Sequence, residues 1–177
     1  DGEHRWTLFC LDAATGKVLW EKVAHKGKPQ HPIHVKASYA SETPVSDGER
    51  VYAYFGNVGL FCYDLTGKQL WSKSWDVVPT QLDWGTGASP VLHEDRIYIV
   101  NDNEKASFLV ALDKLTGKEI WKILAEQTWS IGTVGQSPAF MGVRLVKNNM
   151  GNVPDRQTNA QHVRTPYSSM PITFYFK

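Results

Sequence analysis

The chain has 177 residues, 42% hydrophobic, 12% aromatic and 21% charged, with a formal net charge of +1. That balance lacks the basic excess of a nucleic-acid clamp or an electrostatic membrane binder, and no apolar run approaches the roughly 20 residues that span a bilayer as a helix. Two cysteines, Cys10 and Cys62, are too few for a disulfide scaffold, while seven each of Trp, Tyr and Phe beside 14 Gly and 9 Pro suit a β-rich chain with many turns.

In chain order, the opening Asp1-Gly2-Glu3-His4 carries neither the basic region nor the apolar core of a signal peptide, and the chain is expected to be a piece of something longer. Residues 6–24 read as two strands around the turn Asp12–Gly16. A long connection, 25–40 (HKGKPQHPIHVKASYA), follows. Four short extended segments come next: 43–46, ended by Asp47-Gly48; 50–55 (RVYAYF), closed by Gly56–Gly59; 60–63 (LFCY), ended by Asp64–Gly67; and 69–74 (QLWSKS). Four short strands with a glycine in each turn predict an antiparallel meander. Aspartate bonds nearby backbone amides and glycine tolerates positive φ, which is what a reversing chain needs. A second connection, 76–87 (DVVPTQLDWGTG), leads to a further set with Ile97–Val100 as a middle strand and Asn101–Glu104 as a hairpin tip. No stretch carries helical periodicity.

The set repeats. LDAATGKVLW (11–20), YDLTGKQLW (63–71) and LDKLTGKEIW (112–121) align, with their glycines and their tryptophans both spaced 51 and 50 apart. A second marker interleaves: Pro44-Val45, Pro90-Val91 and Pro138-Ala139 are each followed six residues on by an arginine opening an apolar segment, at Arg50, Arg96 and Arg144. A four-stranded meander of this size cannot bury both its faces alone, and repeated sheets of roughly 40 to 50 residues pack radially as propeller blades. Val51–Phe55 and Ile97–Val100 are apolar on both sides, as a sheet between two neighbours requires. The fold expected is all-β, a partial β-propeller of four-stranded antiparallel blades.

Asp12-x3-Gly16-x3-Trp20 and Asp113-x3-Gly117-x3-Trp121 resemble the tryptophan-docking motif of the quinoprotein-like (PQQ-type) β-propellers; the middle copy, Asp64-x2-Gly67-x3-Trp71, is one residue shorter. The resemblance implies that each Trp stacks on the turn glycine of an adjacent blade, and that the whole ring has about eight blades. The chain holds only three to four repeats, so the remaining blades would be needed for closure. Residues 1–150 are accordingly the partial propeller. Residues 151–177 lack the next motif, expected near position 165, and two readings stand: a reading-frame slip or assembly error that leaves an artefactual or disordered tail, or a divergent blade or loop insertion.

Candidate chemistry is sparse. The resemblance raises a PQQ-dependent dehydrogenase, whose quinone lies under a ring of adjacent disulfide-bonded cysteines beside Ca²⁺. No adjacent Cys pair occurs here, and Cys10 and Cys62 read as small strand residues. His31 and His34, three apart with His25 upstream, have no Cys partner and no third fixed ligand of the kind zinc needs. Asn101–Glu104 lacks the spacing of a calcium loop, so neither metal nor cofactor is expected in this segment. Asp12, Asp64 and Asp113 recur in every repeat and read as turn formers, not catalytic acids. Long connections on a rigid scaffold are where binding resides. Lys36, Tyr39 and Trp84, on the two long connections, are therefore the candidate contact residues, set against the simpler reading that each packs beneath its loop. The closest functional analogy is the propeller lipoprotein family of the bacterial outer-membrane β-barrel assembly machinery. It implies a non-catalytic scaffold or binding protein of the cell envelope, periplasmic or extracellular, with a protein or envelope component as partner and no nucleic acid. The alternative is a fragment of a PQQ-dependent quinoprotein dehydrogenase, with PQQ and Ca²⁺, whose active-site blades lie elsewhere.

Overall fold

The computed structural model describes residues 2–124, apart from 81, 82, 84, 102, 104 and 106, together with the strands at 160–163 and 172–175. Apart from a 3₁₀ position at Asp83, every regular element among them is a β-strand. A two-stranded sheet pairs β1 (His4–Leu11) with β2 (Val18–Gly27). A four-stranded antiparallel meander follows: β3 (Val45–Ser46), β4 (Arg50–Phe55), β5 (Gly59–Asp64) and β6 (Gln69–Lys73). The next sheet repeats it with β7 (Val91–His93), β8 (Arg96–Asn101), β9 (Phe108–Asp113) and β10 (Glu119–Leu124). In the tail, β11 (Ala160–Val163) pairs antiparallel with β12 (Ile172–Tyr175). The other residues of 151–177 lie outside those described.

One strand runs further than its sequence suggests. His25, Lys26 and Gly27, read as the start of a loop, belong to β2, where they pair with Trp6, Arg5 and His4. The partner strand decides this: β1 offers free backbone groups and the Trp6 ring, whose centroid lies 5.2 Å from that of His25.

The period-2 alternation of the middle strands splits their side chains between two cores. Tyr52, Tyr54, Leu60 and Cys62 on one face of the β3–β6 sheet pack against Ile97, Ile99, Phe108, Val110 and Leu112 of the β7–β10 sheet. Ala53, Phe55, Phe61 and Tyr63 on its other face pack against Trp6 and Leu8 of β1. The sheet is therefore sandwiched, which is why its two central strands are apolar at nearly every position. Burying each such side chain contributes about 1.5–3 kcal/mol, and neither face could be left in water. Cys62 sits in one of these cores, where burial pushes its thiol up to about 12. Cys10 and Cys62 are both unbridged.

Candidate functional site

Three segments meet at one end of the stacked sheets: the connection after β2, the connection after β6, and the hairpin tip between β4 and β5. Their contact is built by backbone bonds. His34 N–H donates to Asp83 O at 2.6 Å, which ties the two connections directly. Gly85, at φ +84°, lies under Ile33, whose Cγ2 would stand 3.2 Å from a β-carbon there; the positive φ favours glycine at this close approach. Tyr39 anchors the first connection, its hydroxyl donating to His31 O at 2.9 Å and its own carbonyl accepting Trp6 Nε1 at 3.0 Å.

Between the segments lies a cleft lined by His31, Tyr39, Asn57, Val77, Gly85 and Thr86 among others, with an interior volume of about 30 Å³. That admits about two water molecules. Below it, Glu42 is buried. Its Oε1 accepts the Gly56 N–H at 3.0 Å. Burial pushes the carboxyl above its usual range, against opposing hydrogen bonds from the Thr86 side chain and the Gly56 N–H. Both side-chain polar atoms of Asn57 are buried without a hydrogen-bond partner among the described residues.

Of the residues singled out by sequence, Tyr39 lines this cleft; Lys36 is exposed and does not, though its backbone N–H donates to His34 Nδ1 at 3.2 Å. Trp84 lies outside the described residues. Glu42, Asn57 and Thr86 escaped sequence reading. The one available signal is Glu42 itself, a charged residue at the position before the short first strand where the next repeat has Ala88. Among the described residues, no three His, Cys, Asp or Glu side chains converge as a metal site would require.

The repeated motif residues sit at the joints between sheets. Asp12, Asp64 and Asp113 each accept the hydroxyl of the turn threonine, Thr15, Thr66 and Thr116, at 2.6–2.7 Å. That bond first, and backbone N–H groups with it, holds each carboxyl below its usual range. The glycine ending each turn has positive φ: +70° at Gly16, +81° at Gly67 and +69° at Gly117. Trp20 lies on Gly67 of the following sheet, its Cδ2 2.9 Å from where a β-carbon would stand, and its Nε1 donates to Leu65 O at 2.9 Å. Trp71 lies on Gly117 in the same way, with Cε3 at 2.6 Å. Trp121 packs beside Val91, Tyr98, Leu109 and Ala111 of its own sheet.

Four-stranded antiparallel sheets, stacked face to face at a period of about 50 residues, with an outer-strand indole laid on the turn glycine of the next sheet, define a β-propeller assembled from repeated blades. The sequence profile of the family described as outer membrane protein assembly factor BamB matches residues 2–170, and the chain belongs to that family of PQQ-like propeller repeat proteins. No curated protein sequence matches it. Similar solved structures include a europium-containing methanol dehydrogenase, at 14% identity over 70% of this chain and 22% of that one, with a TM-score of 0.49. BamB from Moraxella catarrhalis matches at 19% identity over 66% of this chain and 30% of its own, with a TM-score of 0.44. Quinohemoprotein alcohol dehydrogenase from Comamonas testosteroni matches at 14% identity over 68% of this chain and 18% of its own, with a TM-score of 0.47. The chain thus spans less than a third of the length of each.

Proposed function

We propose that the chain is part of a non-catalytic scaffold or binding protein of the bacterial cell envelope, in the periplasm or outside the cell, whose partner is a protein or another envelope component. The observation that carries this reading is where the polar groups go. The motif carboxylates are spent on their own turns, and the loop segments are spent on one another, through His34 to Asp83 and Tyr39 to His31. Such a loop face is a rigid contact surface. The description of the matched family as an assembly factor agrees with it. Fold alone would not carry the point, since one fold hosts many functions.

In the same reading the Asp–Gly–Trp motifs are structural ties between blades, and Lys36, Tyr39 and Trp84 belong to the contact face. Residues 151–177 are taken as a divergent blade, an assignment supported by β11 ending at Val163, 50 residues after β9 ends at Asp113.

The test is site-specific photo-crosslinking from position 36 in envelope preparations, beside an assay of alcohol oxidation after loading the protein with PQQ and Ca²⁺. A discrete adduct with an envelope protein and no oxidation is expected. PQQ-dependent turnover without an adduct would replace the scaffold with the dehydrogenase reading.

A further inference from the structure

The net charge of +1, too balanced for an electrostatic membrane binder when averaged over the chain, conceals an uneven distribution. The outer strand of each sheet, taken with the lysine that precedes it, spans residues 17–27, 68–73 and 118–124. These segments hold seven lysines against two glutamates, Glu21 and Glu119, a net +5, so the rest of the chain carries −4. Each outer strand pairs on one side only, β2 with β1, β6 with β5 and β10 with β9, and its other side ends the sheet. Lys17, Lys22, Lys68 and Lys118 are exposed and form no salt bridge with any described residue; Lys26 forms one, with Glu3 at 2.9 Å. Lys22 lays its stem on Gly67, its Cε 2.9 Å from where a β-carbon would stand, and Lys68 is the next residue, so positive charge from two sheets gathers at their joint. Like charges held together without counter-ions work against the compact state, and an anionic partner relieves them. Aliphatic side chains stand between these lysines. Leu19, Leu70 and Ile120, each directly before the motif tryptophan, are 63%, 43% and 44% exposed, and the turn residues Leu65 and Leu115 are 52% and 53% exposed.

We propose that this outer edge docks on an anionic lipid bilayer, with the ammonium groups among the phosphates and the aliphatic side chains at the boundary between headgroups and acyl chains. A bilayer surface is charged and apolar at adjoining depths, and a lysine stem is long enough to leave its ammonium at the headgroups while a neighbouring leucine goes deeper. An acidic protein surface would answer the lysines alone. A bilayer answers both members of the pair, and at every sheet, because Lys17 with Leu19, Lys68 with Leu70 and Lys118 with Ile120 recur at one register. The acidic turns fix the orientation. Asp47–Glu49 and Glu94–Asp95 join the first two strands of their sheets, two strands further in, which is about 10 Å at the usual strand spacing. Anionic headgroups therefore repel the inner side and accept the outer one. The motif aspartates lie closer, but with Asp12, Asp64, Asp113 and Lys114 counted the edge still holds eight lysines against five carboxylates, a net +3. Lys68 also lies at the end of the sheet away from the loop face, since β5 runs from the hairpin tip to the Asp64 turn. The inference thus concerns a second surface and does not rest on the scaffold reading.

The probe is a lipid vesicle. The full chain is co-sedimented with vesicles of phosphatidylcholine alone and with vesicles of phosphatidylcholine and phosphatidylglycerol in equal parts. Binding to the second kind only is expected, weakening as salt is raised. Lys68→Gln combined with Lys118→Gln should reduce the affinity about tenfold, and Leu70→Ser combined with Ile120→Ser should reduce it severalfold. Lys28→Gln combined with Lys105→Gln removes the same charge outside the outer strands and should leave binding unchanged. All the substituted side chains are exposed, so the thermal melts of the variants should match that of the parent chain. No binding to the anionic vesicles, or binding that the Lys28 and Lys105 pair weakens as much as the Lys68 and Lys118 pair, would overturn the proposal. Binding indifferent to Leu70 and Ile120 would overturn it too, and if soluble polyglutamate then binds as tightly as the vesicles, an acidic protein takes the place of the bilayer.

Discussion

The two interior joints use the same residues and close differently. At the first, Trp20 stacks on Gly67 and its N–H reaches Leu65 O. At the second, Trp71 stacks on Gly117 more closely, but its buried N–H finds no acceptor among the described residues. The two acceptor turns differ by one residue. The first joint's acceptor turn is Asp64-Leu65-Thr66-Gly67; the second is Asp113-Lys114-Leu115-Thr116-Gly117. The extra residue, Lys114, donates its backbone N–H to Asp95 O and sends its ammonium back to Asp47 of the preceding sheet at 3.4 Å. One joint is closed by an indole hydrogen bond, the other by an ion pair beside the indole. A repeat can keep its docking geometry while exchanging the polar contact that seals it.

The sharpest way to break the second joint is Trp71→Ala. The ring packs beside the core of Tyr52, Leu60, Ile97 and Val110, so its loss should cost about 3 kcal/mol in urea unfolding. Trp20→Ala should cost less in packing, because its surroundings are more exposed, and adds the loss of one hydrogen bond of about 1 kcal/mol. Equal losses below about 1 kcal/mol at both positions would mean that neither indole ties sheets together.

Next comes the glycine beneath the ring. Gly117→Ala places a methyl group on backbone at φ +69°, 2.6 Å from Trp71 Cε3; Gly67→Ala meets Trp20 at 2.9 Å. Positive φ alone costs alanine about 1 kcal/mol, and displacing a ring adds to it, so about 2 kcal/mol is expected at Gly117 and somewhat less at Gly67. Thermal melts of the two variants should rank in that order. The reverse order would mean that the Trp71 ring yields more easily than the hydrogen-bonded Trp20 ring.

Much of this was legible in the sequence, and the reasons are local. The segment 50–55 was expected as a strand and is β4 residue for residue, because Asp47-Gly48 and Gly56–Gly59 mark both its ends. The one-residue shortfall in the Asp64 turn was equally visible, but not its consequence, since which carbonyl meets an indole depends on a sheet some 45 residues away. The extension of β2 to Gly27 was hidden because His-Lys-Gly carries no strand propensity; the partner β1 imposes it. At the loop face, Tyr39 could be singled out as an aromatic in a long connection. Glu42, Asn57 and Thr86 come from three segments, and only packing brings them to one cleft.

The Asp47 carboxyl, held by its own turn, by Tyr52 and lastly by Lys114 across the second joint, should show itself in acid. Burial alone would raise the Asp47 carboxyl, but the Glu49 and Arg50 N–H groups, the Tyr52 hydroxyl and the Lys114 ammonium outweigh it and hold it down at about 2. A carboxyl whose folded pKa lies below its unfolded value stabilises the fold above the unfolded value, near 3.8, and that stability fades as pH falls through about 2. The contribution is about 1–2 kcal/mol at neutral pH, after discounting for solvent at the turn. Asp47→Asn should remove it, flattening the stability profile between pH 4 and about 2 while leaving the first joint unaffected. An unchanged acid limb in this variant would mean that these contacts do not hold the Asp47 carboxyl down.

The smallest effect separates the two designs most cleanly. Deleting Lys114 shortens the second turn to the length of the first and removes the ammonium that reaches Asp47. If turn length alone decides which carbonyl faces the indole, Leu115 O then takes the place that Leu65 O holds at the first joint, and the Trp71 N–H acquires its acceptor. A gained neutral hydrogen bond and a lost, partly exposed ion pair are each worth about 1 kcal/mol or less, so net stability should move by under about 1 kcal/mol. The indole proton reads the exchange directly: the Trp71 Nε1–H resonance should shift downfield and its exchange with solvent should slow, while that of Trp20 stays where it is. A Trp71 signal that does not move would show that the closer stacking on Gly117, and not the extra residue, keeps its N–H from an acceptor.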